Sequence, residues 1–262
     1  MNRNNFQSNT ARLISNRRIS AKTFRMGMMA PGIAGKAQPG QFIHLRLRPD
    51  TNTPLLRRPF SINDIKDDRI YVLYEIKGTG TEMLSRMKPG ESLDAMGPLG
   101  NGFDLARPGR ENLLVAGGMG IAPMAFMVRR LKQLRLKNEL FYGCRSHSEL
   151  IKPLPKTCRL FSNDGSCGRK GLVTSLLAER LGSCQDPVVY ACGPWPMLKA
   201  TAKICHRLNI PCQVSLESFM ACGVGACQGC VVKNSHGSYI SVCDKGPVFD
   251  SRLIDWDQEC TV

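Results

Sequence analysis

The stretch NLLVAGGMGIAP, residues 112–123, decides the fold class of the central part of the chain. A short apolar run at residues 112–116 leads into a glycine turn and then into a helical pattern. A strand followed by such a turn brings backbone N–H groups and a helix N-terminus to one place, which suits a pyrophosphate. Gly118-x-Gly120 is therefore a candidate nucleotide-binding turn, with Pro123 where a dinucleotide fingerprint has its third glycine. A purely structural turn is the alternative for this motif alone.

Strands and helices continue to alternate after this turn. The pattern predicts strands at residues 139–143 and 187–193, and helices at residues 171–181 and 197–208. Such alternation is typical of a parallel sheet with helical crossovers. The second of these strands ends in Cys192-Gly193-Pro194, and ligands of open α/β sheets bind outside the carboxyl ends of the strands. The two glycine-containing strand ends together predict a nucleotide site, with Cys192 either in the core or, as we favour, beside the nicotinamide.

The N-terminal part of the chain has a different pattern, which predicts an antiparallel β-barrel. Apolar and polar side chains alternate at residues 42–47 and, more loosely, at residues 70–76. Turns rich in proline and glycine separate many short strands, as in closed all-β folds. The pattern changes again past Pro211, where glycine and cysteine dominate. The sequence therefore predicts three domains, at residues 1–107, 108–212 and 213–262.

Two motifs in the barrel part could hold phosphate groups. Arg58-Pro59-Phe60-Ser61 combines a fixed planar charge, an apolar face and a hydroxyl. An exposed arginine on an edge strand is the alternative for this motif. Gly78-Thr79-Gly80-Thr81 precedes a helical pattern and is a second candidate phosphate cradle. Two such elements suit a dinucleotide better than a mononucleotide.

The strongest signal is the spacing Cys222-x4-Cys227-x2-Cys230-x12-Cys243, which is the plant-type [2Fe–2S] spacing. Glycines between the first three cysteines allow the sharp turns that bring three thiolates around a small cluster. The fourth cysteine is expected on a nearby strand. Structural zinc also takes four cysteines, but usually as two separated C-x2-C pairs. A thioredoxin-like redox pair at Cys227 and Cys230 is the other alternative.

Composition limits the class of protein. The chain has 262 residues, of which 42% are hydrophobic and 22% charged, as in folded proteins rather than disordered ones. The longest uncharged stretch, residues 113–128, is shorter than the roughly 20 residues of a membrane span. The N-terminus has no apolar core of a secretory signal, so we expect a cytoplasmic protein. Cysteines in that compartment stay reduced, and most of the eight outside the cluster spacing are expected to be small buried hydrophobes.

The net charge of +15 permits binding to nucleic acid, but the basic residues are widely spread. The densest basic run is RRLKQLRLK at residues 129–137, where Leu131 and Leu134 have helical spacing. A solvated helix face explains this run, and no nucleic-acid motif accompanies it. We therefore expect no nucleic-acid partner and no membrane partner.

The motifs, taken in order, resemble those of the ferredoxin-NADP reductase superfamily. R-P-x-S is followed by G-x-G-T, then by G-G-x-G-x-A-P and C-G-P, along nearly the whole chain. The segment SFMACGVGACQGC at residues 218–230 and the ending Gly246-Pro247-Val248-Phe249 are similar to the electron-transfer subunits of type B dihydroorotate dehydrogenases. Related transhydrogenase-type subunits carry an aspartate in place of the first cluster cysteine, so Cys222 favours the dihydroorotate type.

The resemblance implies a set of binding residues. FAD would contact Arg58, Pro59, Phe60, Ser61, Leu73, Tyr74 and Glu75, with Gly80 and Thr81 at its pyrophosphate. The nicotinamide nucleotide would lie against Gly118, Gly120, Cys192, Gly193 and Pro194. The [2Fe–2S] cluster would be held by Cys222, Cys227, Cys230 and Cys243. No catalytic acid or base is implied, and the four histidines, isolated in sequence, are expected to have packing or surface roles.

The cofactors imply a relay. A nicotinamide exchanges two electrons as a hydride and a [2Fe–2S] cluster passes one at a time, so a flavin is required between them. The sequence offers no site for an organic substrate, so the electrons must come from or go to another protein. The resemblance implies an FMN-containing catalytic subunit that oxidises dihydroorotate to orotate in pyrimidine biosynthesis, in a heterotetramer built from pairs of both subunits. Electrons would pass from FMN to the cluster, then to FAD and NAD.

Two alternatives stay open at this stage. The chain could be the NAD(P)H-dependent reductase component of an oxygenase, a hydrogenase or a sulfite-reducing complex, with the same cofactors and a different partner. It could instead be a zinc-stabilised binding module with degenerate nucleotide sites. The choice between NAD and NADP is also open, because Arg145, just past a strand end, could read a 2′-phosphate.

Overall fold

The computed structural model describes residues 7–47, 54–105, 110–155 and 157–258. The predicted domain boundary between residues 107 and 108 lies outside the described residues, as do Cys260 and the first residues of the N-terminal segment. No helix in the described ranges has the length and apolar character needed to cross a membrane.

Six antiparallel strands close into the predicted barrel. They are β1 (Gln7–Arg18), β2 (Thr23–Met29), β3 (Phe42–Arg46), β4 (Arg58–Lys66), β5 (Arg69–Glu75) and β6 (Ser92–Leu99), in the spatial order β1-β2-β5-β4-β3-β6. Two short helices, α1 (Pro31–Ala34) and α2 (Thr79–Arg86), connect them. Closure leaves no unpaired edge, which explains why many short strands with tight turns can form one stable unit.

Strand β3 is buried on both faces. Ile43 and Leu45 point into the barrel core, whereas Phe42 packs in the core shared by the central sheet and the C-terminal tail. His44, on the same outward face as Phe42, is completely buried. The tail therefore covers the outside of the barrel at this strand.

The central part forms a seven-stranded sheet. Its strands are β7 (Glu111–Gly117), β8 (Asn138–Cys144), β9 (Cys158–Ser162), β10 (Arg169–Lys170), β11 (Pro187–Cys192), β12 (Cys212–Ser215) and β15 (Val248–Asp250). The order is β10-β9-β8-β7-β11-β12-β15, and all pairs are parallel except β12 with β15. Three helices, α3 (Ile121–Gln133), α4 (Leu177–Gly182) and α5 (Trp195–Arg207), accompany it. The architecture confirms the predicted combination of a barrel with a parallel α/β unit.

Two helices differ from the predictions. The helix predicted at residues 171–181 begins only at Leu177, because Gly171 has a φ of +129° and the residues after it form turns. The basic run is also more than a solvated face. Arg129 binds Asp64 at 2.7 Å and donates to the carbonyl of Asn63 at 2.5 Å, so it joins α3 to the barrel.

The C-terminal tail folds around a hairpin of β13 (Val231–Lys233) and β14 (Tyr239–Ser241), followed by α6 (Val242–Lys245) and then β15. Because β15 pairs with β12, the tail supplies the last strand of the central sheet. The predicted boundary at residues 212 and 213 coincides with the first residues of β12, and the three-domain division stays a prediction.

Candidate functional site: a flavin surface, a nucleotide cleft and a cysteine loop

The two predicted flavin motifs meet. A Cβ atom on Gly80 would come within 2.6 Å of Arg58 Nε, so a methyl there would push the guanidinium away from the start of α2. Arg58 also donates to the carbonyl of Leu56, which fixes its direction. A planar cation beside a helix N-terminus forms a site for a pyrophosphate. These residues fit the phosphate groups of FAD, and their contact with it stays a prediction.

Thr81 has a role that the sequence did not reveal. Its Oγ1 accepts hydrogen bonds from the backbone N–H groups of Lys77 at 2.9 Å and Gly78 at 3.2 Å, and donates to the Gly78 carbonyl at 3.0 Å. The Thr81 hydroxyl therefore caps the N-terminus of α2. The first-turn N–H groups of α2 have no partner within the helix, so they are the groups that remain for a phosphate.

Aromatic rings pack around Phe60 of the flavin motif. The rings of Phe60 and Tyr74 meet edge to face at 5.9 Å, and Tyr74 stacks on Phe24 at 5.4 Å. The Tyr74 hydroxyl donates to Asn16 Oδ1 at 2.9 Å, and burial raises its pKa to about 12. Tyr74 is thus a barrel-core residue that supports Phe60. Leu73 packs in the core of the central sheet. The flavin contacts predicted for Leu73, Pro59, Ser61 and Tyr74 stay predictions.

A cleft of about 590 Å³ opens at the carboxyl edge of the parallel sheet. Strands β7 and β11 are neighbours, with Ala116 beside Cys192, so the two predicted glycine-containing ends are brought together. The cleft is lined by Gly118, Gly120, Gly193, Pro194, Trp195 and Glu217, together with Glu75 and Lys77 from the barrel side. The arrangement fits a nicotinamide nucleotide, because it joins backbone N–H groups at a strand end with apolar walls.

The glycines of the turn have different roles. Gly118, with a φ of +51°, has open space where a Cβ would stand, so its backbone faces the cleft. On Gly120, a Cβ would lie 2.0 Å from the Cys192 carbonyl oxygen. Gly120 therefore lets α3 approach the end of β11. Both glycines line the cleft, and their contact with a pyrophosphate stays a prediction.

Cys192 is buried, with 1% of its surface exposed, and the residues that line the cleft do not include it. Burial raises its pKa, so the thiol stays protonated. A position beside the nicotinamide stays a prediction for this residue.

Glu217 is a residue of the cleft that sequence reasoning missed. Its side chain is exposed in the cleft, the protein around the carboxyl displaces part of its hydration and raises its pKa, and nearby Lys77 reduces this effect. Glu217 lies two residues past the end of β12, at the same carboxyl edge as Gly118 and Gly193. The sequence signal that could have identified Glu217 is a carboxyl just past the end of a predicted strand.

The cysteine loop is built from backbone N–H groups that point at sulfur. Gly225 N–H donates to Cys243 Sγ at 3.1 Å, Cys227 N–H to Cys222 Sγ at 3.4 Å, and Cys243 N–H to Cys230 Sγ at 3.4 Å. Gly223 and Gly225 have φ values of +73° and +78°, which turn the chain around the sulfurs. Burial disfavours the Cys222 thiolate, but backbone hydrogen bonds outweigh it and lower its pKa to about 6. The backbone thus favours a thiolate at Cys222, the form that binds iron, whereas burial and the neighbouring Cys230 raise the pKa of Cys243.

The thiols lie in two pairs. Cys222 is a hydrogen-bonding neighbour of Cys227, and Cys230 of Cys243. Among the described residues, no three His, Cys, Asp or Glu side chains have the spacing of ligands to one metal ion. A [2Fe–2S] cluster takes four thiolates, two for each iron, so two pairs fit it directly. Cys243 lies on helix α6 rather than on a strand, one residue after its N-terminal end.

The barrel holds this loop from outside. Asn101 Nδ2 donates to the carbonyls of Asp244 at 3.2 Å and Lys245 at 2.9 Å, and Asn101 N–H donates to the Gly246 carbonyl at 2.6 Å. These bonds fix the segment that carries Cys243.

Comparisons with known proteins agree with this geometry. Residues 217–255 match the iron–sulfur cluster binding domain of dihydroorotate dehydrogenase B, and residues 114–203 match the oxidoreductase NAD-binding domain. The NADH-dependent reduced ferredoxin-NADP oxidoreductase structure superposes with a TM-score of 0.83 at 28% identity, covering 96% of this chain and 91% of that one. These matches confirm the expected fold class and the expected cofactors, FAD, a [2Fe–2S] cluster and NAD.

Two relatives carry the name "dihydroorotate dehydrogenase B (NAD(+)), electron transfer subunit". The protein of Caldanaerobacter subterraneus subsp. tengcongensis is 41% identical over 244 residues, covering 91% of this chain and 95% of its own length. The protein of Desulforamulus reducens is 38% identical over 249 residues, covering 91% and 95%. The chain therefore belongs to the electron transfer subunits of dihydroorotate dehydrogenase B.

Proposed function

We propose that this chain carries electrons between NAD and a catalytic subunit that oxidises dihydroorotate to orotate. The observation that carries the proposal is the contact between the cysteine loop and the strands of the flavin motif. Gly223 lies against His44, and His44 pairs across β3 and β4 with Pro59. A cluster in the loop and a flavin on the motif are thereby held close to each other. When bound, FAD converts two-electron nicotinamide chemistry into the one-electron chemistry of the cluster.

The residues of this chain bind and orient. Arg58 and the first turn of α2 hold the flavin pyrophosphate, and Phe60 supplies an apolar face supported by the barrel core. Gly118 lets the nicotinamide nucleotide approach the end of β7, and Pro194, between β11 and α5, bounds the cleft. Hydrogen bonds from the loop backbone, including one from Gly229 N–H to Cys227 Sγ at 3.4 Å, stabilise the four cysteine thiolates.

The exposed side of the cysteine loop is the face for the partner. Cys227 is exposed, and Phe219, three residues before Cys222, has 70% of its surface exposed. Leu55 and Leu56, on the segment that leads into Arg57, are also exposed large hydrophobics. An apolar surface beside an electron-transfer centre suits close docking. The partner on this face is an FMN-containing subunit, in a heterotetramer of pairs of both chains, in the cytoplasm.

The nucleotide is NAD rather than NADP. Arg145 follows β8, where a 2′-phosphate could be read, but its guanidinium binds Glu149 at 2.8 Å. A paired guanidinium has less attraction for a phosphate, and the glutamate repels one.

The test is co-purification of the chain from its native cell, identification of the bound subunit, and assay of the complex. We expect a flavin-containing partner and dihydroorotate-dependent reduction of NAD, with NADP used at least tenfold less well. A bound partner of another class, such as an oxygenase, would contradict the proposal.

A further inference from the structure

His44 is a buried polar residue that the proposed relay has not yet used. It lies on the outward face of β3, with 0% of its surface exposed. Neither ring nitrogen has a hydrogen-bond partner within the described structure. An unsatisfied polar group in the interior costs roughly 1–3 kcal/mol. A phenylalanine ring would fill this space without that cost in folding free energy. The two ring nitrogens therefore suggest a role other than packing.

The ring lies between the two elements that the relay must connect. A Cβ on Gly223 would come within 2.5 Å of His44 Nδ1, so the glycine beside the first cluster cysteine leaves room for the imidazole. The backbones of Arg57 and Cys222 lie within reach of the ring, although neither meets the full geometry of a hydrogen bond. Arg57 directly precedes the arginine of the flavin motif.

The strand that carries His44 is held rigidly. Arg57 donates to the carbonyls of His44 at 3.4 Å and Asp94 at 3.0 Å, and it pairs with the Asp94 carboxylate. Asn101 fixes the other half of the loop, around Cys243, to the same barrel. The barrel therefore holds the cysteine loop at two points, and His44 is the point nearest the flavin motif.

We propose that His44 is a positioning residue of the electron relay, whose imidazole seats the Cys222–Gly223 segment against the flavin-binding strands and donates a hydrogen bond to that segment once the cluster is in place. The inference rests on the proposed function, because it gives His44 a purpose only if a cluster and a flavin occupy these sites. A donor near cluster sulfur raises the reduction potential, since it stabilises the added negative charge.

The experiment compares His44→Phe and His44→Gln with the full-length wild-type chain. FAD and iron contents, the EPR spectrum of the reduced cluster and its midpoint potential are measured for each. The matched control is His236→Asn, because His236 is exposed in the hairpin of the same tail. His44→Phe removes the donor and keeps a ring, so we expect a changed EPR spectrum and up to a tenfold shift in the one-electron equilibrium, which is 59 mV downward. His44→Gln keeps a donor and should restore part of the potential.

A potential and an EPR spectrum in His44→Phe equal to wild type, at full iron content, would overturn the proposal. If the phenylalanine variant loses iron, the contact is tested by a double-mutant cycle with Gly223→Ala. The added methyl should destabilise the cluster less in a His44→Ala background, because the imidazole is gone, whereas the backbone strain at Gly223 is common to both. An equal effect in both backgrounds would also refute the contact. A wild-type chain without FAD or cluster would instead refute the proposed function.

Discussion

At the scale of single residues, Arg58 carries the most specific expectation for the flavin. Its guanidinium lies against Gly80 at the start of α2, where a pyrophosphate would gain a charge-assisted hydrogen bond. Such a bond is worth about 1.5–3 kcal/mol, so Arg58→Ala should weaken FAD binding by roughly ten- to hundredfold. Iron content should not change, because the cysteine loop does not use this side chain. Flavin absorbance and iron analysis of the purified variant measure both.

The control for that variant is Arg86→Ala. Arg86 lies at the other end of α2, three-quarters exposed and paired with Glu82, so its loss should leave FAD occupancy unchanged. Gly80→Ala should lower occupancy in the same direction as Arg58→Ala, because the new methyl displaces the guanidinium. Full FAD occupancy in Arg58→Ala would show that Arg58 does not hold the flavin.

At the scale of elements, the turn between β7 and α3 gives a prediction that separates binding from packing. Gly118→Ala puts a methyl into the cleft at a φ of +51°, so it should raise the KM for NADH at a cost of about 1–2 kcal/mol in stability. Gly120→Ala drives a methyl into the Cys192 carbonyl, a backbone atom that cannot move aside. That variant should instead lower the melting temperature. NADH oxidation with an artificial acceptor and thermal melting measure the two effects.

Spacing and structure give different reasons why residue 120 must be glycine. From spacing alone, a larger side chain there fills the space of the pyrophosphate, whereas the structure puts the clash inside the protein. A Gly120→Ala variant with wild-type stability and a raised KM would restore the explanation from spacing. A Gly118→Ala variant with unchanged KM would remove the cleft assignment.

The elements themselves could be predicted where chemistry is local. The glycine turn, the strand ending at Cys192 and the cysteine spacing all lie within short segments whose residue types require them. What could not be predicted depends on distant partners. His44 alternates with apolar neighbours like any barrel residue, and only the fold shows that the tail buries it from outside. The cap that the Thr81 hydroxyl forms with Lys77 and Gly78 is local by contrast, and the contact of Thr81 with a pyrophosphate stays a prediction.

The same limit applies to the tail. Its cysteines identify the cluster, but the pairing of β15 with β12 joins segments far apart in sequence, which no local pattern specifies. Glu217 reaches the nucleotide cleft from the root of this tail. The nucleotide cleft is therefore lined by the barrel, the central sheet and the start of the tail. The cysteine loop of the tail packs against the barrel at His44.

At the scale of the whole molecule, removal of the cluster tests the order of the relay. Cys227 is the exposed cluster cysteine, so Cys227→Ser removes one thiolate without opening a buried cavity. The variant should lose iron and bind the catalytic subunit less tightly, because we propose that the loop forms the partner face and a metal site of this kind orders its own segment. NADH oxidation with an artificial acceptor should survive, since Arg58 and Gly118 lie outside the loop.

Cys158→Ser, a change at a cysteine outside the loop, is the matched control and should keep its iron. Reconstituted complexes of both variants, assayed for dihydroorotate-dependent NAD reduction, decide the matter. The control should retain the reaction and Cys227→Ser should lose it, because no one-electron carrier then connects FAD to the catalytic subunit. A cluster-free complex that still couples dihydroorotate to NAD would leave the cluster only a structural role.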